Sequence, residues 1–303
     1  MKTVKIGGKD TSAIGMGCMR IGCLSVEKAE ELVHCALDCG ITLFDHADIY
    51  GGGKSESLFG QVLQRNPGLR EKMFIQSKCG IGKGFYDMSY SHIIESTEAS
   101  LKRLQIDALD MLIFHRPDAL AQPDEVARAV QELKKQGKVL QFGVSNMNPA
   151  QIQLLESWTG EALAANQLQL SLMHAGMVTS GINVNVDNHE GTMQDGSVLP
   201  FCQKQGITVQ AWSPLQYGMF DGCFVGNKKF PQLNDKLSEI AEKYGVTPAA
   251  VALAWILRIP GKMQVVLGTT KLPHMKGNCV AADFELTRQE WYSLYLSCGY
   301  QLP

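Results

Sequence analysis

Residues 111–144 read MLIFHRPDALAQPDEVARAVQELKKQGKVLQFGV. Met111–His115 is an apolar run of strand formers. Asp124–Gln136 then places apolar residues at helical spacing, and Leu140–Val144 returns to a strand-like run. Strand, helix, strand in that order is the unit that lays two strands parallel, with the helix crossing outside them.

The same alternation extends both ways along the chain. Upstream, a small strand-like opening around Thr3–Ile6 precedes a strand at Ile14–Gly17. A helix is predicted over Ser25–Asp38, with Ser25 as N-cap and Gly40 just beyond its end. Strands at Thr42–Asp45 and Met73–Ser77 alternate with helices at Glu56–Gln64 and Ser91–Leu104. Downstream come a helix at Pro149–Glu156, a strand at Ala164–Leu170, a helix at Val198–Gln205 and a strand at Ile207–Trp212. Two helices, Leu233–Tyr244 and Pro248–Leu257, lead to the last strand, Gln264–Leu267. Helical sequence near His274–Ala282 and Thr287–Cys298 closes the chain.

Eight βα units in 303 residues predict one α/β domain over residues 1–303, closed as a (β/α)8 TIM barrel. The rival fold, an open doubly wound sheet, calls for a GxGxxG turn after the first strand. Here Gly15-Met16-Gly17 runs on into Cys18 and Met19, and Gly51–Gly53 lacks the GK[ST] ending of a P-loop. Two segments are long for barrel loops, His174–Leu199 and Gln216–Gln232. Both follow strands, so both are expected at the C-terminal rim, as walls of a ligand site.

The charge balance, 28 Lys+Arg against 30 Asp+Glu, carries no like-charge run. It offers nothing to a nucleic acid or a membrane surface. Nine cysteines without a CxxC pair fit reduced thiols. The opening MKTVKIGGKD has no signal-peptide core, and no apolar stretch reaches spanning length, so a cytoplasmic location is expected.

Catalytic groups in such a barrel sit at the C-terminal ends of strands. In order, those ends supply Asp45 and Tyr50, then Lys78, then His115. Singly, each has an ordinary reading: a capping Asp, a solvated Lys, a core His. Their succession on one rim argues for chemistry. A phenol is a poor acid near neutrality, with a reference pKa of about 10. A neighbouring ammonium lowers that value, and a carboxylate keeps a buried lysine charged. A histidine can orient a hydrogen bond at the same oxygen. The set suits Tyr50 as general acid for a carbonyl receiving hydride, tuned by Lys78 and Asp45. The strand ends show no cluster at metal-ligand spacing, so no metal is expected. Arg116, beside His115, either anchors an acidic substrate or pairs with Asp118; the pairing is the favoured expectation.

Phe44-Asp45-His46-Ala47-Asp48-Ile49-Tyr50-Gly51, with Glu56 downstream, resembles the first signature of the aldo-keto reductases. Lys78 after Ile75-Gln76-Ser77 is similar to that family's catalytic lysine, and His115 in Asp110–Asp118 to its histidine. Gly143-Val144-Ser145-Asn146 and Asn166-Gln167 resemble its nicotinamide-amide segments. The Gly299-Tyr300 ending resembles a bacterial oxidoreductase branch. The resemblance spans nearly the whole chain.

It implies that Tyr50 donates the proton, Lys78 and Asp45 tune it, and His115 orients a small aldehyde or ketone. It implies NADPH as cofactor. Ser145, Asn146 and Gln167 would hold the carboxamide, and Trp212 would stack on the ring. Ser213, Pro214 and Leu215 would lie beside the pyrophosphate, with Met19 and Arg20 also lining the cofactor. The last motif departs from the familiar pattern: Gly268 stands in the lysine slot and His274 in the arginine slot. Thr269, Thr270, Lys271 and Lys276 could meet the 2′-phosphate, with Asn278 at the adenine. Histidine lacks the bidentate clasp of arginine, so NADH is possible as well. The alternatives are an NADP(H)-sensing subunit and a phosphate-handling barrel enzyme. Apolar and aromatic residues such as Met19, Phe85, Tyr86, Tyr217 and Phe220 are candidates for pocket walls. A monomer is the default expectation.

Overall fold

The hairpin that opens the chain shows how the barrel is closed below. Strands β1 (Thr3–Ile6) and β2 (Lys9–Ser12) pair antiparallel across Gly7-Gly8, both at positive φ. Two left-handed residues give a turn whose twist matches the strands it joins. The sequence signal for β2 is that glycine pair, and β2 lies beyond the strand expected at Thr3–Ile6. Ile6 is fully buried against Leu43, Phe74, Met111, Ile113 and Ala165, which plugs the N-terminal end of the barrel.

The computed structural model describes residues 1–303. The barrel strands are β3 (Ile14–Gly17), β4 (Leu43–Asp45), β5 (Phe74–Cys79), β6 (Met111–Phe114), β7 (Phe142–Ser145), β8 (Leu163–Gln169), β9 (Thr208–Trp212) and β10 (Met263–Leu267). All pair in parallel in sequence order, and β10 closes onto β3 through Val265 opposite Ile14. The predicted (β/α)8 barrel is the fold. Outside it lie α1 (Val26–Asp38), α2 (Lys54–Arg65), α3 (Tyr90–Leu104), α4 (Pro123–Lys135), α5 (Pro149–Thr159), α6 (Gly176–Ile182), α7 (Val198–Gln205), α8 (Pro231–Tyr244), α9 (Pro248–Leu257), α10 (Leu272–Cys279) and α11 (Arg288–Ser297).

Local signals explain most boundaries. Ser25 accepts from the Lys28 N–H, Ser89 from His92, and Thr287 forms a capping box with Glu290. Pro123, Pro149, Pro231 and Pro248 each open a helix, where their missing N–H costs nothing. Gly60 of α2 has no room for a Cβ, which would lie 2.2 Å from the Arg103 carbonyl of α3. No single helix is long and apolar enough to cross a membrane.

Three differences matter. Strand β5 runs through Lys78 and Cys79 instead of stopping at Ser77, so Lys78 is inside the barrel wall, fully buried. Strand β7 begins at Phe142; Leu140 is half exposed, and a register irregularity lies between Phe142 and Val144. The stretch His174–Leu199, expected as an open loop, holds helix α6 with Val178, Thr179 and Ser180 buried.

Candidate active site

Asp45 ends β4, and the chain turns sharply after it. Tyr50 opens a single helical turn in which Gly51, Gly52 and Gly53 all have left-handed φ, from 60° to 87°. Only glycine enters that region without steric cost, so the run that is no P-loop is what swings the chain from Tyr50 into α2. Buried Glu56 then pins α2 in place. It accepts from Ser77 Oγ at 2.6 Å and pairs with Arg103 at 2.7 Å.

Lys78 reaches up from β5 and uses all three of its donors. Nζ lies 2.7 Å from Asp45 Oδ1, 2.8 Å from the His46 carbonyl and 3.1 Å from Tyr50 Oη. Burial opposes the charge on Lys78, but Asp45 and Tyr50 outweigh it and hold the ammonium above its ordinary value. The same balance falls the other way at Tyr50. Burial pushes its hydroxyl up further than Lys78 pulls it down. The expectation of a net lowering by Lys78 is therefore corrected: the phenol stays protonated near neutrality. Because Tyr50 Oη accepts from Lys78, its own O–H remains free to donate into the cleft.

Asp45 is held from below as well. Gln76 Nε2 donates to Asp45 Oδ1 at 2.6 Å, and Gln167 Nε2 donates to the same oxygen at 3.0 Å. Gln76 and Gln210 exchange two hydrogen bonds between their side-chain amides, Gln210 donates to Gln264, and Gln264 donates to Thr11 of the basal hairpin. A charged carboxylate only accepts, so it fixes which way the first two amides face. The buried chain of glutamines runs the depth of the barrel. Sequence reasoning missed it.

His115 follows β6, its ring edge-on to Tyr50 with centroids 6.2 Å apart. Burial, then the Lys78 and Arg116 cations, push it down to about 2, so it is neutral. Its Nδ1 is buried without a partner, which leaves Nε2 as the atom open to the cleft.

The cleft above these groups has a volume of about 770 Å³. Met19, Arg20, Ser145, Asn146, Gln167, Trp212, Ser213, Pro214, Leu215, Gly268, Thr269, Thr270, Lys271, His274 and Asn278 all line it, with Asp45, Tyr50 and His115. Lys78 lies beneath the surface, and Lys276, expected at the 2′-phosphate, does not line the cleft. Trp212 Nε1 donates to Asn146 Oδ1, Asn146 Nδ2 to Ser145 Oγ, and Ser145 Oγ to the Gln167 carbonyl. Asn146 and Ser213 have φ of 55° and 51°. Strained backbone of this kind persists where the surroundings over-determine it, as at ligand clamps. Gln167 spends both amide hydrogens on Asp45 and Gln210, so its Oε1 is left as an acceptor. Arg20 reaches across to the Gly268 carbonyl at 3.4 Å.

Other expectations change. No residue of His174–Leu199 lines the cleft, because its buried helix packs outward on α7; the 216–232 segment does, through Gln216, Met219, Phe220 and Cys223. Phe85, Tyr86 and Tyr217 lie outside it, whereas Ile49, Ile81 and Arg116 belong to it. Arg116 does not pair with Asp118. The Asp118 oxygens are taken by the N–H groups of Met88, at 2.9 Å, and Leu120, at 2.8 Å.

The Aldo/keto reductase family profile matches residues 13–295. The chain belongs to this family. As a member it is an oxidoreductase that acts on carbonyl groups with a nicotinamide cofactor. It is 35% identical to the oxidoreductase YdhF of Escherichia coli, over 99% of this chain and 98% of that protein. It is 34% identical to the 6-dehydroglucose reductase of Agrobacterium fabrum, over 97% of each. Its structure is similar to that of an aldo-keto reductase from Klebsiella pneumoniae in complex with NADPH, with a TM-score of 0.77 and 27% identity. That match covers 100% of this chain and 96% of the other.

His46 gives the family site a pH dependence of stability. It is fully buried, edge-on to Phe59 at 4.5 Å, and neither ring nitrogen has a partner. Burial, then the Lys78 charge, push it down from 6.5 to about 3. The unfolded chain therefore takes up a proton that the native state refuses. The stability His46 contributes is complete above about 6.5 and is lost as pH falls from there toward 3. His115 acts in the same sense. Asp48 opposes both: burial, then the Glu56 charge, push it up from 3.8 to about 6, so its share is lost as pH rises between those values. Two histidines outweigh one carboxyl. The denaturant midpoint is expected to fall as pH drops from about 6.5 to 4.5, and His46→Phe to flatten that slope. An unaltered slope in the variant would assign the dependence to other groups.

Proposed function

We propose that the protein is an NADPH-dependent reductase of aldehydes or ketones, with Tyr50 as general acid. One observation carries the reading: Lys78 donates to Tyr50 Oη at 3.1 Å and to Asp45 at 2.7 Å, which orients a protonated phenol toward the cleft. Bound NADPH supplies a hydride to the carbonyl carbon. Tyr50 gives its proton to the carbonyl oxygen as negative charge develops there, and the Lys78 ammonium stabilises the phenolate left behind. Neutral His115 offers Nε2 to the same oxygen and sets its direction.

The residues suit that cofactor. The Gln167 Oε1 left without a partner can accept from the carboxamide N–H₂, and Ser145 and Asn146 border the same spot. Trp212 is fixed by Asn146 as a ring to stack against. Lys271 and the hydroxyls of Thr269 and Thr270 offer donors for the 2′-phosphate at the start of α10. The NADPH complex of the Klebsiella relative supports the choice.

The test follows oxidation of NADPH, then NADH, at the nicotinamide absorbance band, with a panel of aldehydes and ketones. Turnover with NADPH is expected. Because His274 cannot clasp a phosphate with two N–H groups, His274→Arg is expected to lower KM for NADPH about tenfold and to leave that for NADH little changed. Equal effects on the two cofactors would remove His274 from the phosphate site. Binding of NADPH with no turnover across the panel would overturn the reductase reading.

A further inference from the structure

Arg116 is a cation without a counter-charge. Arg65, Arg70, Arg103 and Arg258 each sit in an ion pair, and Arg128 stacks on Tyr90. Arg116 does neither; Arg20 and Arg288 also lack an ion pair but are exposed, and Arg20 reaches the Gly268 carbonyl, whereas Arg116 is half-buried in the cleft wall with no side-chain partner. The acid that the sequence offers it, Asp118, has both oxygens committed to backbone N–H groups. The one carboxylate that lines the cleft, Asp45, is neutralised by Lys78. The cleft that Arg116 lines also carries the apolar side chains of Ile49, Ile81, Met219 and Phe220, and His115, its neighbour in the chain, is neutral.

A half-buried guanidinium on a cleft wall, with its N–H donors unspent, fits a carboxylate or phosphate geometrically and electrostatically. We propose that Arg116 is the specificity-determining residue of the site and that the substrate is a carbonyl compound carrying an anionic group. The anion sits on Arg116 while the carbonyl oxygen lies between Tyr50 and His115. The proposal deepens the reductase reading and rests on it. Nothing in the reaction balance changes: hydride goes to the carbonyl carbon, the Tyr50 proton to its oxygen, and the anion remains a spectator.

The experiment compares matched substrates in the intact protein with NADPH. 4-Carboxybenzaldehyde is set against benzaldehyde, and glyceraldehyde 3-phosphate against glyceraldehyde; the two arms tell a carboxylate from a phosphate. The anionic partner of at least one pair is expected to have a kcat/KM about ten- to a hundredfold higher, the range of a charged hydrogen-bonded pair. In Arg116→Met that ratio is expected to collapse to about one, and in Arg116→Lys to lie between. Using the ratio cancels any effect of the substitution on neighbouring His115. A ratio near one in the native protein, or a high ratio that survives in Arg116→Met, would overturn the proposal. Should no aldehyde be reduced at all, the reductase reading fails by itself. Calorimetric binding of benzoate against benzamide to the NADPH-bound protein then decides: Arg116-dependent binding of benzoate alone upholds the anion site, and its absence removes it.

Discussion

Tyr50→Phe is expected to reduce kcat for carbonyl reduction by about a hundred- to ten-thousandfold, the usual worth of a positioned general acid. The phenyl ring keeps its place edge-on to His115, so only the hydroxyl, the proposed proton donor, is lost. Cofactor affinity, read by quenching of protein fluorescence, is expected to stay within about twofold, because Tyr50 is not among the groups proposed to hold the carboxamide or the phosphate. Stability should fall modestly, by about 1–3 kcal/mol, since Lys78 Nζ loses the acceptor at 3.1 Å and keeps the other two. Retained turnover in this variant would remove Tyr50 from the chemistry and leave His115 as the candidate donor.

Lys78→Met is expected to combine a large loss of activity with the largest loss of stability. The Asp45–Lys78 pair is wholly inside the protein, and deleting one partner leaves a buried charge without its counter-ion. Such breaks cost about 3–5 kcal/mol. Gln76 and Gln167 still donate to Asp45, which keeps the cost from the upper limit. The rate should drop by at least about a hundredfold, because no ammonium remains to stabilise the phenolate of Tyr50. Adding Asp45→Asn removes the stranded charge. The double variant is expected to regain most of the denaturant midpoint while remaining inactive. Recovery of activity along with stability would mean that the pair serves folding alone; failure to recover stability would mean that the two residues are not coupled as the 2.7 Å contact implies.

The sequence by itself determined the barrel and most of the rim. Short strands such as Met111–Phe114 are buried on both faces, so they read as unbroken apolar runs, and the helices between them have one apolar face. Parallel strands all point the same way, so polar residues at or near the end of each run, Asp45, Lys78 and His115, necessarily gather at one end of the barrel. Their order in the chain was enough to place them together.

What the tertiary structure decided concerns groups whose partners are remote or whose surroundings set their charge. Gln76 and Gln210 meet 134 positions apart, and only closure of the barrel brings their amides face to face beneath Asp45. The sign of the Tyr50 shift depends on how deeply burial competes with Lys78, a balance that residue types alone do not carry. The 174–199 segment is rich in turn formers, yet it folds a helix away from the cleft because Val178 finds a buried place. Arg116 stays without an ion pair, while the carboxylate two residues on accepts from the backbone N–H of Met88, 30 residues upstream. Periodicity and strand direction are local properties that a chain carries in its order of residues. Desolvation and the choice among competing hydrogen-bond partners are settled only when distant segments pack.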